Sequence, residues 1–89
     1  MKRTVDEKLQ YNSGQRTAFA YGYRFGVQAY RRYPKADERH KRDISSDIDY
    51  NKRLAQTGDK SRESVQYAKG FMCGVRDAAN ERKARQKRK

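Results

Sequence analysis

The chain has 89 residues, of which 34% are hydrophobic and 38% are charged, so it can form one small domain with a thin core. Its formal net charge of +12 favours a polyanionic partner, nucleic acid above all. No run is long or apolar enough for a membrane span or a signal peptide, and the single cysteine, Cys73, excludes an internal disulfide and a zinc site made of cysteines. We therefore expect a cytoplasmic protein without membrane contact.

The first third of the chain predicts one long helix behind a frayed start. The segment before Tyr11 has no sustained hydrophobic period, and Lys2 and Arg3 are expected to be free to contact phosphate. Asn12 or Ser13 offers an N-cap, and from residue 15 onwards apolar residues recur at spacings of three and four. The helix is expected to end at residue 33, because the next residue is the only proline of the chain.

This helix carries the first copy of an internal repeat. Gly22-Tyr23-Arg24-Phe25-Gly26-Val27 recurs 48 residues later as Gly70-Phe71-Met72-Cys73-Gly74-Val75. A glycine inside a helix costs about 1 kcal/mol relative to alanine, so four of them need a structural reason. Glycines spaced four apart share one helix face, where missing side chains let two backbones approach closely. The repeat therefore predicts a helix crossing at Gly22, Gly26, Gly70 and Gly74. The alternative is that the glycine face of one of these helices lies against a nucleic-acid backbone.

The middle of the chain is expected to pack lightly. Residues 34–43 are rich in charges of both signs and have no apolar anchor, which is typical of a solvated connection. Ser45 or Ser46 can then open a short helix with few apolar residues, and Gly58 is expected to close it in the C-terminal capping position.

The last helix is expected to begin after Asp59 or Ser61 and to end its apolar stripe near Ala79. Residues 82–89 hold six basic side chains that repel one another, so we expect a flexible basic tail behind a single helical domain of residues 1–81. Together the elements predict an all-α fold. Two main helices cross at glycine faces, with a lighter middle helix and the basic tail.

Basic side chains at the chain ends and on helix surfaces are the candidates for nucleic-acid binding. Lysine and arginine neutralise phosphates, the arginine fork matches phosphate geometry, and an exposed tyrosine such as Tyr30 or Tyr33 can stack on an unpaired base. The candidate residues are Lys2, Arg3, Arg24, Tyr30, Arg31, Arg32, Arg76, Arg82, Lys83, Arg85, Lys87, Arg88 and Lys89.

Patterns typical of enzymes are missing from the sequence. It has no phosphate-binding glycine loop and no Ser-His-Asp set, and its one histidine, His40, has no second histidine to share a metal. Cys73 lies on the small face of the last helix and is expected to be a small buried hydrophobe. We expect no catalytic activity, no metal and no cofactor.

Two separated patterns resemble those of a known family. The first consists of Gly22, Tyr23, Gly26 and Val27, and the second of Gly74, Arg76, Asp77, Ala78 and Arg82. They are similar to the motifs of the ribosome modulation factor family of small basic bacterial proteins. The resemblance implies a two-helix protein that binds ribosomal RNA of the small subunit near the messenger exit region and silences translation, and that can promote pairing of ribosomes. The chain departs from the family in its longer connection, its added tail, and in Phe71 and Val75, where the family tends to have tryptophans.

Two other functions stay open. One is a DNA-binding protein of the nucleoid or of a phage, although the expected connection from Tyr33 to Ser45 is too long for the tight turn of a helix-turn-helix. The other is an inhibitor, of the kind used in host takeover, that docks on an acidic protein surface. The favoured function is binding of structured ribosomal RNA with inhibition of translation.

Overall fold

The computed structural model describes residues 3–87 and confirms the all-α fold. Within these residues the chain forms α1 (Val5–Ser13), α2 (Ala18–Arg32), a short 3-10 helix (Tyr33–Lys35), α3 (Glu38–Thr57) and α4 (Arg62–Lys87). No helix in this part of the chain is long and apolar enough to span a bilayer. The core is thin, as expected: it centres on Tyr23, Val27 and Ala78, all of them buried.

The first helix, α1, corrects the expectation of a frayed N-terminal segment. Thr4 and Glu7 form a capping box, in which the Thr4 hydroxyl accepts from the Glu7 amide at 3.1 Å and Glu7 Oε1 accepts from the Thr4 amide at 3.4 Å. Val5 and Leu9, one turn apart, pack against the core. Two apolar residues are too few to show a period, which is why the hydrophobic pattern missed this helix.

The start of α2 differs from the prediction, whereas its end is confirmed. The N-cap is Thr17, whose hydroxyl accepts from the Ala20 amide at 3.1 Å, and neither Asn12 nor Ser13 takes that role. Both of those residues belong to the end of α1. The helix ends at Arg32, and the proline stands in the 3-10 helix that follows.

The third helix, α3, is longer than predicted, and the prediction of a solvated connection over residues 34–43 is wrong. Asp37 caps the helix by accepting from the His40 amide at 2.8 Å, and the helix continues to Thr57. A cap followed by good helix formers is enough to start a helix whose first turns face solvent. The connection from α2 is therefore only residues 33–37, so the argument that its length excludes a helix-turn-helix no longer applies.

The expectations for the rest of α3 are confirmed. Gly58 ends the helix with a φ of 68°, in the left-handed region, and its amide donates to the Leu54 carbonyl at 2.9 Å. Asn51 and Leu54 are its buried residues, so α3 packs lightly.

The last helix, α4, begins after Ser61, whose hydroxyl accepts from the Ser64 amide at 3.3 Å. It continues to Lys87, so residues 82–87, which the sequence predicted to lie in a tail beyond the domain, are helical. Strong helix formers fill this stretch, Glu81 lies 3.9 Å from Arg85 one turn on, and basic residues are favoured at a helix C-terminus by the helix dipole. Arg88 and Lys89 lie outside the described residues.

The glycine crossing of α2 and α4 is confirmed and is reciprocal. A Cβ placed on Gly22 would overlap the carbonyl oxygen of Tyr67, and one on Gly70 would overlap that of Phe19, the residue 48 positions before Tyr67. The same relation links Gly26 with Phe71 and Gly74 with Tyr23. The two copies of the repeat therefore contact each other in equivalent ways, backbone against backbone.

The two crossing helices run in the same direction. Gly70 lies beside Phe19, Gly74 lies beside Tyr23, and Glu81 is bonded to Arg31, so residue numbers rise together along both helices. The 20-residue α3, about 30 Å long, returns the chain between them. The ends of α2 and α4 consequently share one end of the molecule.

Candidate nucleic-acid interface

Basic side chains from three segments converge at the end where α2 and α4 finish. Lys35, Arg82 and Arg85 line one cavity of about 430 Å³ beside Tyr30 and Arg31. Arg32 and Lys35 line a second cavity next to it, of about 650 Å³. We call the exposed cations at this place the basic end, and they are Arg32, Lys35, Arg82, Lys83 and Arg85.

Arg31 holds the basic end together. One of its terminal nitrogens lies 3.0 Å from Glu81 Oε2 and 3.1 Å from Asp6 Oδ1, and its Nε donates to Glu81 Oε1 at 3.2 Å. Burial works against the charged form, but these hydrogen bonds raise the pKa of Arg31. Its guanidinium joins α1, α2 and α4 and is neutralised by two carboxylates. The structure therefore gives Arg31 a positioning contact that links three helices.

A second polar cluster lies under α1, at Asp77. The Tyr23 hydroxyl donates to Asp77 Oδ2 at 2.8 Å, and Lys8 Nζ lies 3.1 Å from the same oxygen. Burial, and then the bond to Asp77, raises the pKa of the Tyr23 phenol. Arg76 is mostly exposed and lies only 3.9 Å from Asp77 Oδ1. The cluster links the two halves of the repeat through one half-buried carboxylate.

The remaining candidates are scattered over other faces. Arg24 stacks on the Tyr21 ring at 4.7 Å, and its buried Nε has no hydrogen-bond partner among the described residues. Arg3 lies over the Tyr11 ring at 5.5 Å. Tyr30 is half-buried against the core and lies in the wall of the cavity that Lys35, Arg82 and Arg85 line. Lys87 closes α4, and Lys2, Arg88 and Lys89 lie outside the described residues.

An aromatic groove between α2 and α3 was not anticipated from the sequence. Tyr21 and Phe25 on α2 and Tyr50 on α3 stand on its walls, and Tyr67 and Phe71 of α4 form its floor. Its main cavity, of about 930 Å³, shares Phe25, Tyr67 and Phe71 with the cavity that reaches Arg32 and Lys35. We call these five rings the aromatic groove. Burial and the charge of Asp47 raise the pKa of the Tyr67 phenol in its floor.

Groups suited to a metal are not found in the part of the chain that the structure describes, where no three His, Cys, Asp or Glu side chains are close enough to hold an ion. Cys73 is a free thiol, half-buried against the core, which is consistent with a packing role.

Comparison of the chain with protein-family models, with curated proteins and with solved structures gives no match.

Proposed function

We propose that this protein binds structured RNA through its basic end, that its target is ribosomal RNA of the small subunit, and that binding inhibits translation. The observation that carries the proposal is the convergence of Lys35, Arg82 and Arg85 on one cavity at the shared end of two parallel helices. Cations from separate segments, held by a folded framework, present a fixed pattern to phosphates.

The electrostatics of this end favour an anion despite the helix dipoles. Two helix C-termini meet there, and each carries a partial charge of about −0.5. The five cations of the basic end outweigh that total of about −1, and Glu81 and Asp6 are already engaged by Arg31. Each phosphate contact releases condensed counterions from RNA, which supplies affinity at low and moderate salt.

The choice of ribosomal RNA rests on the resemblance to ribosome modulation factor. Tyr23 belongs to the first of the two similar motifs and Asp77 to the second, and these two side chains are hydrogen-bonded at 2.8 Å. This contact supports the idea that the motifs act as one structural unit.

Duplex DNA is the second candidate, because its phosphates would attract the same cations and because only residues 33–37 connect α2 to α3. An acidic protein surface would attract the same cations. Neither candidate requires the two motifs to be joined as Tyr23 and Asp77 join them.

Co-sedimentation with purified small ribosomal subunits, at two salt concentrations, tests the proposal. We expect the protein to pellet with the subunits, to stay bound against an excess of duplex DNA, and to lower the yield of a translation reaction at similar concentrations. Equal displacement by duplex DNA would leave a general polyanion binder. Binding to a protein in a nuclease-treated lysate, without binding to subunits, would favour the inhibitor.

A further inference from the structure

We propose that the aromatic groove binds an unpaired stretch of RNA by stacking its bases, so that the target is single-stranded where it enters the groove. This inference rests on the proposed function and narrows it to a class of RNA. The basic end would then hold phosphates next to the groove, whereas the rings hold bases.

The three rings on the walls of the groove are exposed in a way that a packed core does not explain, whereas Tyr67 in the floor is half-buried and Phe71 is buried. Phe25 is 51% exposed and Tyr50 is 57% exposed, and Tyr21 is 40% exposed. The Phe25 and Tyr67 rings lie 6.3 Å apart, and the Tyr67 and Phe71 rings 6.2 Å apart, so one wall is joined to the floor through neighbouring rings. Such surfaces bind single strands because every base has a π face that can stack on them.

The groove is open because α3 rests on α4 and not on α2. Leu54 and Asn51 are the buried residues of α3, and Asn51 uses its side-chain amide to donate to the Asp47 carbonyl at 2.8 Å. This leaves Tyr50, next to Asn51, on the open wall. The packing of α3 on α4 therefore sets the width of the groove.

The charges along the groove favour RNA over other ligands with affinity for aromatic rings. Arg16 lines one end, and Arg32 and Lys35 line the other, which opens onto the basic end. Asp47 lines the part between and repels phosphates there, whereas Glu63 lies at the Arg16 end and Asp43 lines the same cavity as Arg32 and Lys35. A single RNA strand fits both the cations and the carboxylates. Its phosphates can contact the cations at the ends while its bases point into the groove, where carboxylates accept hydrogen bonds from base amino groups. A cationic peptide would fit the carboxylates but would be repelled by Arg32 and Lys35, which outnumber Asp43 at the end of the groove next to the basic end.

Fluorescence anisotropy with two labelled RNAs tests the inference. One is a single strand of about eight nucleotides, and the other is a hairpin with the same number of phosphates and a minimal loop. We expect Tyr50→Ala to weaken binding of the single strand by about 10- to 100-fold, as the loss of one stacked base would, and to change hairpin binding by less than about 2-fold. Tyr50→Phe, which keeps the ring, should bind like the parent.

Tyr11 supplies the matched control. It is 58% exposed, as Tyr50 is, but it lies on α1 outside the groove. Tyr11→Ala should leave both RNAs bound as before, and melting curves of all variants should show that each is folded. Because Tyr50 is mostly exposed, its replacement is not expected to unfold the domain. Phe25→Ala should repeat the loss from the opposite wall.

The outcomes separate this inference from the proposed function. If Tyr50→Ala and Phe25→Ala bind the single strand as the parent does, or lose both RNAs equally, the groove does not stack bases and the inference is overturned. RNA binding through the basic end would still stand in that case. Absence of binding to either RNA by the parent protein would overturn the proposed function, and the inference with it.

Discussion

Gly22→Ala is expected to unfold the domain or to lower its melting temperature by about 15 °C or more. The added methyl group would overlap the carbonyl oxygen of Tyr67 and lie 2.9 Å from the Phe71 amide nitrogen. Both are backbone atoms of a helix and cannot turn aside as a side chain can. Overpacking of this kind costs about 3 kcal/mol or more, in a domain whose free energy of unfolding is about 4–13 kcal/mol for its length.

The direction of the change in stability distinguishes a helix crossing from an ordinary helical site. At an ordinary helical site, alanine is more stable than glycine by about 1 kcal/mol. Gly14 is the matched control, because an added Cβ there would have only the Tyr11 carbonyl oxygen within 4 Å, at 3.8 Å, and its φ of −88° suits any residue. Gly14→Ala should melt like the parent or slightly higher. If Gly22→Ala did the same in circular-dichroism melts, the helices would not cross at the glycines.

Replacing Lys35, Arg82 and Arg85 by glutamine is expected to cause the largest loss of RNA affinity. If each contacts a phosphate, the slope of log K against log salt should flatten by about 2–3 units, and affinity should fall on the order of 100-fold at 0.1 M salt. Folding should be unaffected, because these side chains are exposed and Arg31 keeps its partners Asp6 and Glu81. A filter-binding titration at several salt concentrations measures both quantities.

The matched control removes the same charge from the other end of the molecule. Lys52, Arg53 and Lys60 are exposed, and Lys60 precedes the start of α4, about 30 Å along the helix from Arg82. Their replacement by glutamine also lowers the net charge by three. Equal losses from the two triple variants would mean that total charge, and no particular surface, attracts the RNA.

The helix crossing could be predicted because its cause is local. Glycines four apart leave a bare strip on any helix, and the repeat shows that a second helix has the same strip. The parallel direction of α2 and α4 could not be predicted, since it depends on the length of α3, whose first turns carry only charged side chains. The capping box of α1 was visible in the spacing of Thr4 and Glu7, and that signal could have found the helix.

The types of residue at the site could be predicted from the sequence, but their arrangement could not. Charge counting led to Arg82 and Arg85, but the role of Arg31 depends on Asp6 and Glu81, which are distant in sequence and meet only in the fold. The aromatic groove was missed because mainly Tyr30 and Tyr33 were considered for stacking, and the rings of the groove come from three helices that meet only in the fold. Tyr23 is the only one of the seven that is buried.

A backbone-amide NMR titration of the protein with a fragment of small-subunit ribosomal RNA tests the central claim most directly, because it shows which residues meet the RNA. The account predicts the largest shift changes at residues 32–35 and 81–87, with a second set at the aromatic groove when the fragment contains unpaired bases. Residues 55–61, at the opposite end, should be unchanged. Shift changes centred on residues 55–61, or none at all under low salt, would contradict it.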